Sequence, residues 1–207
     1  MAQEKKKLVI ELFRKKDAEA FAAALADPEG KMEIPSAAAL CGAEACALAL
    51  RAARIAAGEK APDERTDYLL RNLDKLREYL VYLIDEDVKG RAIFLRAQKE
   101  GDAQKIDAAR QPACAIGDEI ICQMIHLIAL MDEMACFHTR ESAGYLSAAL
   151  ELALSAMRCA MDYVCEIASG SSDRTYAFVV RRENELRMEE LAETLERIRL
   201  RIDPVQT

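Results

Sequence analysis

Two long segments that are apolar on nearly every side constrain this chain more than any other feature. The first, Ile116 to Phe137, reads IGDEIICQMIHLIALMDEMACF, and the second, Leu146 to Ile167, reads LSAALELALSAMRCAMDYVCEI. A helical step of about 100° per residue gathers Glu119, Gln123, His126 and Glu133 on one narrow stripe of the first. The same step gathers Ser147, Glu151, Ser155, Arg158, Asp162 and Glu166 on one stripe of the second. A surface helix has one apolar stripe and a broad polar face. These have the reverse, so each should be covered on most sides. A chain of 207 residues has few helices with which to surround two of them. A second copy of the chain is therefore expected to supply part of the cover. The thin polar stripes of the resulting homodimer would face water or an internal site.

The rest of the chain also reads as helix. β-branched residues are sparse, Ala and Leu dominate, and no alternating run persists. Asp17 is placed to cap a short helix, AEAFAAALA, and Asp27-Pro28-Glu29-Gly30 reads as a turn. Pro35 opens the Ala-rich helix SAAALCGAEACALALRAARIA, which Gly58 ends before the linker at Pro62. A long amphipathic helix follows from Glu64 to Lys99, with Leu69, Leu73, Leu76, Leu80, Leu83 and Ile84 as its core stripe, and Gly101-Asp102 breaks it. Pro112 is expected to begin the fourth long helix, and residues His138 to Gly144 to turn into the fifth. After the turn Gly170-Ser171-Ser172-Asp173, a last helix carries Met188, Leu191, Leu195, Ile198 and Ile202 as a seam. Its other faces are charged, which places it outermost. The reading is an all-α bundle of about five to six helices in one domain, residues 1–207.

Charge and cysteine usage narrow the function. A net charge of -7 argues against a general nucleic-acid surface or an anionic membrane surface. The opening MAQEKKK and the short VIELF do not make a signal peptide. No run reaches the roughly 18 uncharged apolar residues of a membrane span. The seven cysteines, Cys41, Cys46, Cys114, Cys122, Cys136, Cys159 and Cys165, form no CxxC. They read as reduced core thiols of a cytoplasmic protein.

Three groups of polar residues are candidates for chemistry. In Leu83-Ile84-Asp85-Glu86-Asp87 the core stripe of the long helix continues onto Asp87, which should point inward. A buried carboxylate is paired or has its pKa raised, and Arg91, one turn on, is the local partner. Such a group suits general acid–base catalysis, and a structural ion pair accounts for the same pattern. Arg158 and Asp162, with Glu151 and Glu166, form a ladder that lines a pocket or simply faces water. The start of the Ala-rich helix near Ser36 offers free N–H groups to an anion. His126 follows Cys122 by four residues, but no second such pair exists, so a core histidine is expected and no metal.

The order FAAALADPEG, SAAALCGAEACALALRA, YLIDEDVKGRAIFLRAQK, then two long apolar helices and a charged last helix, resembles the cyclodeaminase family of folate enzymes. That family includes formiminotransferase-cyclodeaminase and methenyltetrahydrofolate cyclohydrolases. The resemblance runs from Phe21 to Ile202 and implies a dimeric all-α fold with a tetrahydrofolate derivative as substrate. The implied reaction is cyclisation of the formimino group with loss of ammonia, or opening of the methenyl bridge by water. Asp87 would be catalytic, and Glu33, Ser36, Arg91, Arg158 and Asp162 would bind ligand. The chain also departs from the family's pattern. Glu33-Ile34-Pro35 and Ser36 stand where the family has a Pro-Gly-Gly-Gly turn and a small residue. Gly144-Tyr145 replace a Ser-Asp pair, and Tyr163 and Ile167 replace two Asn. A catalytically inactive homodimer that keeps the fold as a binding or scaffold protein is the alternative.

Overall fold

A 3₁₀ turn, Phe13–Lys15, precedes six α-helices in the computed structural model, which describes residues 12–58 and 62–203. The helices are α1 (Ala18–Ala26), α2 (Ile34–Ala57), α3 (Glu64–Glu100), α4 (Ala103–Met134), α5 (Arg140–Ser169) and α6 (Arg174–Ile202). No strand occurs among the described residues. The basic opening segment and most of the linker before Pro62 lie outside them.

Short polar side chains start most of these helices by accepting from otherwise unpaired N–H groups. Asp17 accepts from Ala20 N–H at 2.8 Å and Asp63 from Thr66 N–H at 2.7 Å. Thr139 and Ser142 form a reciprocal capping box on α5. Gly101, at φ 71°, closes α3 in the left-handed region where glycine carries no Cβ penalty. The fourth helix does not begin at Pro112. The Asp102 carboxylate accepts from Gln104 and Lys105 N–H and nucleates α4 from Ala103, leaving Pro112 inside it. A proline there lacks the N–H that would bond the preceding turn. Pro112 is exposed, so the freed carbonyl is open to solvent.

Helix α2 lies at the centre, packed between α3 and α5. Helix α4 closes the bundle against α3 and α5, and α6 lies across α5 and α4. Ala39, Ala45 and Ala49 have no exposed surface, and these small residues let α2 and α5 approach closely. Gly117 does the same for α4, because a Cβ there would stand 2.5 Å from Val164 on α5. The expected stripe of α3, Leu69 to Ile84, is buried throughout. Side chains of this size contribute about 1.5–3 kcal/mol each when fully buried. On α6 only Asn184, Leu195, Ile198 and Ile202 are buried, as its outer position requires.

The cover of the two apolar segments comes from within the chain to a larger extent than their pattern implies. Helix α5 is enclosed by α2, α4 and α6, and α4 by α3, α5 and α6. The polar stripes do not surround an enclosed hollow in the single chain. Ser147, Glu151, Ser155, Arg158, Asp162 and Glu166 are all exposed, while Glu119, Gln123 and Glu133 are half-buried. His126 is exposed rather than a core residue, because it belongs to the outward stripe of α4. The thiols are all free, but only Cys46 and Cys114 are buried; Cys122, Cys136 and Cys159 are exposed. Two helices, Ile34–Ala57 and Ala103–Met134, are long and apolar enough to cross a membrane by length and composition. At least half of each apolar window is buried inside the fold, as core helices require.

Candidate functional site

The N-terminus of α2 meets the middle of α3 at the most polar point of the interior. Its own N-cap residue, Glu33, makes no side-chain cap bond, and Pro35 removes one donor. Asp87 of α3 takes over. It is 2% exposed, and its Oδ2 accepts from the Ser36 hydroxyl at 2.6 Å and from the Ser36 N–H at 3.2 Å. The carboxylate thus ends the helix from outside and sits at the positive end of its dipole. Burial pushes the Asp87 carboxyl up, against the pull of the Ser36 hydroxyl and the backbone N–H groups of Glu33 and Ser36.

Arg91 is not the partner of Asp87. Its guanidinium turns to Glu33, with Nη2 to Oε1 at 2.7 Å, because Ser36 and the end of α2 already occupy the carboxylate one turn earlier. Arg91 and Arg110 both lie 5.6 Å from the centroid of the buried Phe94 ring. The Arg91 Nε is buried without a hydrogen-bond partner among the described residues. Tyr163, 3% exposed on α5, completes the cluster. Burial first, then the nearby Asp87 charge, push its phenol up.

Beside this cluster a cavity of about 500 Å³ opens along the first turns of α2. Glu33, Ile34, Ala37 and Cys41 form one wall, and Ser155 and Cys159 of α5 face them. The space next to Pro35 is therefore open and mostly apolar. Asp87 and Ser36 do not line it; they lie behind the wall. The Cys41 Sγ bonds the Leu152 carbonyl at 3.4 Å, and burial raises its thiol pKa.

The structure brings Glu33, Ser36, Asp87 and Arg91 together and puts Arg158 and Asp162 elsewhere. The latter two border a separate groove of about 520 Å³ between α5 and α6, with Met161, Arg181 and Met188. Helical phase groups Arg158 with Ser155, but it does not tell which neighbouring helix each of them faces. Cys41 and Cys159 read from the sequence as core thiols, whereas Ser155 lies on the polar stripe of α5 that is expected to face water or an internal site. The apolar neighbours of the two cysteines mask them, and only the pairing of α2 with α5 brings all three face to face. Among the described residues no group of three or more His, Cys, Asp or Glu is placed to hold a metal ion.

Comparisons with known proteins agree on the framework. The family model described as formiminotransferase-cyclodeaminase matches residues 17–186. The formiminotetrahydrofolate cyclodeaminase of Thermotoga maritima superposes with a TM-score of 0.80 at 18% identity, over 93% of this chain and 98% of that one. At that identity the likeness is one of fold. A search of curated protein sequences finds no match.

Proposed function

This chain belongs to the formiminotransferase-cyclodeaminase family, and on that footing we propose that it binds a tetrahydrofolate derivative and acts on its one-carbon group. The reaction is of the formimidoyltetrahydrofolate cyclodeaminase or methenyltetrahydrofolate cyclohydrolase type. Either requires proton transfer at nitrogen and stabilisation of an amidine-like cation. The observation that carries the reading is the open cavity of about 500 Å³ against the start of α2, with carboxylates in and behind its wall. Glu33 faces the cavity, and Asp87, held ready to take a proton by its burial, is the proton-transfer group of the proposal. Ser36 links the two. Reaching the ligand requires the first turn of α2 to shift, since Asp87 is sealed in this state. Self-association into a homodimer in the cytoplasm is part of the same proposal. Half of the apolar window of α4 is not buried within the single chain, which supports it.

One observation favours a second reading. Both Ser36 bonds to Asp87 serve to cap α2, a structural role that needs no substrate. The alternative is a cyclodeaminase-fold protein that binds a small molecule without turning it over. A thermal-shift series with reduced folates, followed by a turnover assay, separates the two. Binding to the folded state must raise the melting temperature. No shift well above micromolar ligand overturns the folate reading, and a shift without turnover selects the second. Turnover that survives Asp87→Asn unchanged removes Asp87 from catalysis.

A further inference from the structure

Glu33 occupies an unusual position for a helix N-cap residue. Its carboxylate does not cap α2, because Asp87 does so from α3. It pairs instead with Arg91, Nη2 to Oε1 at 2.7 Å, in the cavity wall. The Glu33 side chain remains about one-third exposed there. Among the described residues no lysine, arginine or histidine lines the cavity. The other polar side chains described there are one hydroxyl and two thiols, from Ser155, Cys41 and Cys159, and burial raises the pKa of the Cys41 thiol.

A ligand group entering here meets an anionic acceptor, weak thiol and hydroxyl dipoles, and alkyl surface. An anion would lose its hydration beside the Glu33 carboxylate, and Arg91, the cation next to that wall, is already paired with it. A flat, neutral or protonated ring bearing N–H donors loses little and gains a charge-assisted hydrogen bond. We infer that Glu33, oriented by Arg91, is a specificity-determining residue that selects an N–H-bearing, uncharged or cationic heterocycle and leaves any anionic part of the ligand outside the cavity. The inference shares its pocket with the folate reading. It concerns which chemical group enters, and it holds or fails separately from turnover.

The test uses calorimetric titration of the full chain with two probes, pterin and pterin-6-carboxylate, against Glu33→Ala and Glu33→Gln. Pterin is expected to bind the unaltered protein more tightly than its carboxylate does. Loss of one charge-assisted bond should weaken pterin roughly ten- to a hundredfold in Glu33→Ala. Glu33→Gln keeps the shape and a neutral acceptor, so it should fall between. It also keeps the test valid should Glu33→Ala leave Arg91 unpaired and fail to fold. The inference is overturned by no pterin binding, by equal affinity in Glu33→Gln and the unaltered protein, or by tighter binding of the carboxylate. Reduced folates that stabilise the unaltered protein and Glu33→Gln alike would sink this inference and leave the folate reading standing. Pterin binding that depends on Glu33, with no thermal shift by reduced folates, would do the opposite.

Discussion

Replacing Asp87 by alanine should destabilise the fold through α2 rather than through the pocket. The carboxylate accepts two hydrogen bonds from Ser36, at 2.6 and 3.2 Å. Bonds of this charge-assisted kind contribute about 1.5–3 kcal/mol each. Two effects offset part of the loss. The Ser36 N–H also points at the Glu33 carbonyl at 3.1 Å, and its hydroxyl can turn to the Ile84 carbonyl at 3.4 Å. Removing a buried carboxylate also relieves its desolvation. The expected net cost of Asp87→Ala is about 2–4 kcal/mol, or a fall of about 5–15 °C in Tm for a domain of this size. Asp87→Asn keeps one acceptor and should cost about half as much. The pH dependence gives the sharper test. A folded pKa raised above the unfolded one favours the protonated, folded state. That contribution is fully present below the ordinary carboxylate range and is lost as pH rises through the raised value. Asparagine lacks it, so Asp87→Asn should lose more stability relative to the unaltered protein at about pH 4.5 than at about pH 8. Thermal melts by circular dichroism at both values decide the matter. A larger deficit at the higher pH, or an Asp87→Ala protein that melts within about 1 °C of the unaltered one, refutes the argument.

Other perturbations read other parts of the molecule. Gly117→Ala should cost at least about 1–3 kcal/mol by overpacking, because the new methyl would stand 2.5 Å from Val164; urea melts measure it. Thiol labelling followed by mass spectrometry should modify Cys122, Cys136 and Cys159 first. Cys46, whose thiol burial pushes up to about 12, should react only on unfolding. Pro112→Ala should raise stability by restoring a missing backbone bond within α4, by up to about 3 kcal/mol. Asp132 is held below the usual carboxylate range first by its bonds from Arg197, so its grip on α6 is present at neutral pH and lost as pH falls through the lowered value. Protection against hydrogen exchange, taken relative to the intrinsic rate at each pH, should therefore fall at the end of α6 in acid before it does in the core.

The parts of the fold set by local patterning were legible in the sequence. The α3 stripe ends on an inward Asp87 because side chains three and four apart share a helix face, and the structure buries that residue. The seam of α6 and its outer position follow from the same periodicity. What sequence spacing misjudged were choices between partners. Arg91, one turn from Asp87, was the nearest partner along the chain, yet Ser36 is the partner in space, 51 positions away. Arg158 and Asp162 share a helix with the pocket's Ser155 and Cys159 but face α6 instead. Pro112 looked like a helix start because its ring tolerates that position best; the Asp102 cap, with its two backbone donors, overrode it.

The long-range cap on α2 also bears on the order in which the chain acquires structure. The first turn of that helix lacks its finishing acceptor until a segment half a hundred residues downstream has coiled and docked. An emerging polypeptide cut short before residue 87 should carry a frayed, slowly protected α2. The two helices should therefore gain amide protection together, as one cooperative unit, rather than in the order in which they are synthesised.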